Sequence, residues 1–109
     1  MAQEAPNTLH AAIVFNGTTS TIINSRGVVE AGFNKIGTGR YEIPLVDPVD
    51  GNACVISGNA GSGTHPFIMG AVIGVVGDVY MLIILVDDAT GTAADGVVQV
   101  QVTKFATDD

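Results

Sequence analysis

From Phe67 to Leu85 the chain carries a single charged side chain, Asp78. A stretch of that length is long enough to cross a bilayer as a helix. Asp78 lies near its middle, however, where a carboxylate costs about 2.5–3.5 kcal/mol on insertion scales. It also follows Gly77, and Gly-Asp is a turn dipeptide. The run therefore predicts two apolar strands, Pro66–Val76 and Val79–Val86, joined by a tight turn. No membrane partner is expected.

The second strand adds a further constraint. Tyr80 to Val86 is apolar at every position rather than at alternate ones. A strand on one layer of a sandwich has one inner face, and its outer face is ordinarily polar. Both faces of this hairpin must then be covered, and a domain of 109 residues has little to cover them with except another copy of itself. The expected interface between identical subunits is Ile68, Val72, Val76, Tyr80, Leu82, Ile84 and Val86.

The remainder of the chain agrees with a β protein. Val and Ile together supply 25 residues and Leu only four, and β-branched side chains favour pleated surfaces over helices. Short apolar runs alternate with Gly, Asn, Asp and Pro clusters, and no helix-period run with caps occurs. Expected strands are His10–Phe15, Thr19–Asn24, Val28–Phe33, Arg40–Val46, Asn52–Ser57, the hairpin, and Val97–Phe105. Pro44 lacks a ladder donor, which argues for an edge position there. About eight strands in one domain suit an antiparallel, jelly-roll-like β sandwich over residues 10–109, preceded by a flexible arm at residues 1–9. The glycine-rich stretch 58–63 and the segment 87–96 read as open loops. Asn59, Ser62, His65, Asp87, Asp88 and Asp95 are the candidate contact residues they carry.

Charge removes one class of partner. Eleven acidic against four basic residues give a formal charge of −7, and the four cations are scattered. Nucleic acid requires clustered cations to displace condensed counterions, so no nucleic-acid partner is expected. The first eight residues are polar and lack the apolar core of a signal peptide, which points to synthesis in a reducing cytoplasm.

Enzyme chemistry finds little to build on. Cys54 is the lone thiol and sits in an apolar run, where cysteine behaves as a small hydrophobe. His10 and His65 share no motif with it, and no serine has a nucleophile-elbow context. No zinc or calcium spacing is present, so no metal or other cofactor is expected. Gly37-Thr38-Gly39 lacks the Lys-Ser/Thr of a phosphate loop and reads as a tight turn, as does Asn16-Gly17-Thr18.

Three segments carry a resemblance. Ala12-Ile13-Val14-Phe15-Asn16-Gly17-Thr18, Ile22-Ile23-Asn24-Ser25 and Gly37-Thr38-Gly39-Arg40-Tyr41-Glu42-Ile43-Pro44-Leu45 resemble a domain of bacteriophage tail-fibre and related virion surface proteins, over roughly residues 11–57. The resemblance implies a jelly-roll β sandwich similar to complement-type and tumour-necrosis-factor-like heads, assembled as a homotrimer and bringing no catalytic residues. It implies a non-enzymatic virion structural protein, made in the host cytoplasm. One setting is a capsid decoration (cement) protein whose partners are itself and other virion proteins. The alternative is a fibre or spike tip that binds a host receptor or surface glycan.

Overall fold

A computed structural model describes residues 7–106. It is all-β and antiparallel: β1 (Thr8–Asn16), β2 (Thr21–Arg26), β3 (Asn34–Gly37), β4 (Arg40–Pro44), β5 (Cys54–Gly61), β6 (Pro66–Val76), β7 (Val79–Asp87) and β8 (Val97–Lys104). The strands form one sheet in the order β2-β1-β8-β5-β6-β7-β4-β3, curled into a half-barrel. Two separate sheets do not form, because the β5–β6 hairpin carries hydrogen bonding round the bend. That pairing is short, Ala60 with Phe67 and Gly61 with Pro66, and beyond it the two strands diverge.

The curl lets the two halves bury alternate residues against each other. Ala11, Ile13 and Phe15 of β1 and Val98, Val100 and Val102 of β8 meet Tyr41 and Ile43 of β4 and Leu82, Ile84 and Val86 of β7. Phe15 packs edge-on against both Phe33 and Tyr41, with ring centroids 5.0 and 4.8 Å apart. Edge-to-face contacts of this kind add about 0.5–1.5 kcal/mol beyond area burial.

Several boundaries differ from the sequence reading, each for a local reason. Thr8 and Leu9 pair with Lys104 and Thr103, so they belong to β1, and Asn7 Oδ1 accepts from Ala106 N–H at 2.9 Å; residues 1–6 of the expected arm lie outside the described residues. The expected strand Val28–Phe33 is instead one bridge, Val28 with Leu45, and a single 3-10 turn at Glu30–Gly32. Gly27, at φ +74°, turns the chain out of β2, and a Cβ at Gly32 would strike the Pro44 ring at 2.5 Å. The strand forms one step later, as β3, and Thr38-Gly39 is the tight turn into β4. β4 lies between β3 and β7 and is not a sheet edge. Pro44 is tolerated because Leu45 N–H, not residue 44, donates to β7, and β3 pairs no further along β4 than Glu42.

The stretch from Gly58 to Gly61 is strand, not loop. A Cβ on Gly58 would stand 2.0 Å from the Gln99 carbonyl, so glycine marks close approach of β5 to β8 rather than freedom.

Candidate functional site

The β6–β7 hairpin is built as the sequence predicts, and its turn sets the register. Gly77 takes φ +63° in the first loop position, the geometry of a two-residue II′ turn. Val76 then pairs with Val79, Val72 with Ile83 and Ile73 with Leu82. Directly paired residues share a face. Met69, Ala71 and Ile73 therefore face inward beside Val86, Ile84 and Leu82, while Ile68, Val72 and Val76 face outward with Leu85, Ile83, Met81 and Val79.

This divides the expected interface set. Ile68, Val72 and Val76 stand on the outer surface, 58, 58 and 57% exposed. Leu82, Ile84 and Val86 are completely buried in their own subunit, and Tyr80 packs against that core. Leu82, Ile84 and Val86 are consumed by the fold and are not available to a partner, and Tyr80 is partly so. The outward residues of β7 are Val79, Met81, Ile83 and Leu85, with Leu85 47% exposed. The signal that identifies them was present: a two-residue turn at 77–78 pairs even positions of β6 with odd positions of β7.

The result is an outer apolar face with a polar border. Arg40, Glu42 and Pro44 of β4 lie beside Leu85, Ile83 and Met81. Arg40 reaches Asp87 at 3.1 Å and closes one corner. Among the described residues no group of His, Cys, Asp and Glu could hold a metal ion. No helix among them is long and apolar enough to cross a membrane.

The loop residues turn inward more than expected. Asp95, half-buried, accepts from Lys35 Nζ at 2.7 Å, from Gly39 N–H at 2.9 Å and from the Tyr41 hydroxyl. Lys35 also donates to the Gly17 carbonyl, and Gly17 N–H donates to Gly96. Gly17 must be glycine because a Cβ would meet the Tyr41 hydroxyl oxygen at 2.1 Å. The Asn16-Gly17 and Gly37-Thr38-Gly39-Arg40-Tyr41 segments thus meet at one internal lock. Burial pushes the Asp95 carboxyl up, but the Lys35, Tyr41 and Gly39 donors outweigh it and hold it below the usual carboxylate range. Burial, then the Asp95 carboxylate, pushes the Tyr41 phenol well above its ordinary value.

Asp88 organises its own loop, accepting from Thr90 N–H and hydroxyl and from Thr92 N–H. Asn59 lies on β5 opposite Gln99, and Ser62 and His65 close the exposed β5–β6 turn. Burial, then Asp50, raises the Cys54 thiol, which disfavours the reactive thiolate. His10 Nε2 sits 2.9 Å from the Asp47 carbonyl, a contact that ties β1 to the 45–50 connection.

Comparison with protein-family models, curated proteins and solved structures finds no match to this chain.

Proposed function

We propose that this protein is a non-enzymatic structural subunit that assembles with copies of itself through the outer face of β6 and β7. One observation carries the reading. Ile68, Val72, Val76, Val79 and Leu85 form a contiguous surface of large apolar side chains, each close to half exposed or more, on two paired strands. Contiguous apolar surface on that scale marks an interaction site. The absence of charge along β6 selects a partner surface that is itself apolar, and the chain's own hairpin is one.

The homotrimer, the jelly-roll relationship and the virion surface rest on the resemblance across residues 11–57. In that setting the chain decorates a capsid, with the turn at 62–65 and the loop at 88–92 facing other virion components. A fibre or spike tip that binds a host glycan is the second reading. The exposed polar side chains of Asn59, Ser62 and His65 near the β5–β6 turn favour it. Light scattering on the purified chain at micromolar concentration tests assembly. The expected mass is a multiple of 11.1 kDa, three-fold for the trimer, and a monomer contradicts the proposal. Binding to purified capsids as against bacterial surface polysaccharide separates the two settings.

A further inference from the structure

β6 also has a bare edge. It pairs with β5 only at Phe67 and Pro66, and from Ile68 to Val76 no strand among the described residues runs along its other side. The backbone groups turned to that side follow from the ladder. Leu45 N–H donates to the Tyr80 carbonyl at 2.9 Å and Val86 N–H to the Gly39 carbonyl at 2.7 Å, so Tyr80 and Val86 turn their backbones toward β4. Their partners on β6, Val75 and Met69, therefore turn theirs away from β7, as do Ala71 and Ile73 between them. These N–H and C=O groups border a groove lined by Gly51, Asn52, Cys54 and Ile56 on one wall and Ala71 and Ile73 on the other.

Natural edges are blunted by cations, prolines or shortness. The two strands at the ends of the sheet obey that rule: β2 ends in Arg26, and β3 is four residues long and carries Lys35. β6 spans 11 residues and has no charge, and its one proline, Pro66, stands at its start. Its backbone edge carries no blunting residue of its own, and the cover beside it among the described residues is the 3-10 turn Gly51–Ala53, which approaches Ile73.

We infer that the β6 edge pairs antiparallel with β6 of a second copy, about a two-fold axis at Val72. This register places Ala71 opposite Ile73 of the other copy and Met69 opposite Val75. Every edge-facing N–H and C=O of the four residues then finds a partner. On the outer face it places Val72 opposite its own equivalent, Ile68 opposite Val76 and Gly70 opposite Gly74, matching β-branched with β-branched residues and glycine with glycine. A strand of other composition would have to meet this pattern by chance; β6 meets it by symmetry. The inference rests on self-assembly as proposed above and adds a symmetry to it. Edge pairing alone gives a dimer, and joined to a three-fold contact on the outer face it links trimers in pairs.

The test is amide hydrogen exchange on the full chain at high and low concentration, beside light scattering of wild type and Ala71→Pro. Residue 71 does not donate to β7, so proline there removes an edge donor and spares the internal ladder. Slow exchange at Met69, Ala71, Ile73 and Val75 confined to the concentrated sample, with a halved mass for Ala71→Pro, is the expected result. Fast exchange at these four in an assembled wild type overturns edge pairing and leaves assembly through the face standing. A monomeric wild type overturns both. The exchange pattern needs no variant, so the inference is decided even where Ala71→Pro does not fold.

Discussion

The half-barrel has two outer surfaces made by the same kind of strand, and they differ in chemistry. On β1, β8 and β5 the outward positions include Gln99, Gln101, Thr103, Ser57 and Asn59, with Ala12, Val14, Val55 and Val97 as apolar members scattered among them. On β6 and β7 they are Ile68, Val72, Val76, Val79, Met81, Ile83 and Leu85. Inside, both halves are equally apolar, so the demands of one core explain neither the difference nor its location. β8 shows what a strand with one dry face looks like: Val98, Val100 and Val102 buried, Gln99 and Gln101 in water. β7 shows the pattern of a strand that is dry on both. The comparison teaches that the apolar surplus of this sequence belongs to a surface, not to the interior.

The largest effect that could break this comparison lies on neighbouring residues of β7. Ile84→Asp places a carboxylate in the closed core and is expected to cost more than about 4 kcal/mol, leaving no cooperative thermal transition. Ile83→Asp, one position along, is expected to keep a folded spectrum and to lose assembly through the outer face. If both variants unfold, or neither changes anything, the two faces of β7 are not distinct in the way described.

Next in size is the lock that joins the two halves. Asp95→Asn removes the charge from the Lys35 contact at 2.7 Å, and Tyr41→Phe removes the hydroxyl that donates to Asp95. Each is expected to lower unfolding free energy by about 1–3 kcal/mol. Urea denaturation measures it, with the double variant falling short of the sum because the groups share one network.

A smaller effect is expected with pH. The folded Asp95 carboxyl lies below its unfolded value of about 3.9, so the native state binds fewer protons there. The stability it contributes is complete above the unfolded value and is lost as pH falls through the folded one. Wild type should therefore lose more stability than Asp95→Asn as pH falls below about 4. The lowered carboxyl of Asp88 acts in the same direction in both proteins and drops out of the difference. Equal acid sensitivity would show that the Lys35 and Tyr41 contacts do not hold the charge.

Much of the fold was legible because period-two patterns and turn residues agree with it. The turn at Gly77-Asp78, the alternation in Arg40–Val46 and the buried Val98–Val102 series needed only local chemistry. Three things were not legible that way. Glycines mean different things in different contacts: Gly58 allows close approach within a strand, whereas Gly27 turns the chain, and the letters alone do not separate them. The outward residues of β7 were misassigned because every position there is apolar, so hydrophobicity carries no phase. Only the length of the turn does. The Asp95 lock depends on contacts across 54 to 60 residues of sequence, beyond the reach of any local pattern.

The claim that the outer face of β6–β7 is an assembly surface is tested most directly by matched charges on the two outer faces. Val72 and Gln101 are both exposed strand residues, so Val72→Asp and Gln101→Asp are each expected to change subunit stability by less than about 0.5 kcal/mol. Sedimentation velocity at micromolar concentration should find wild type and Gln101→Asp at the same multiple of 11.1 kDa, and Val72→Asp as a folded monomer. Val72→Asp retaining the wild-type mass would contradict the account.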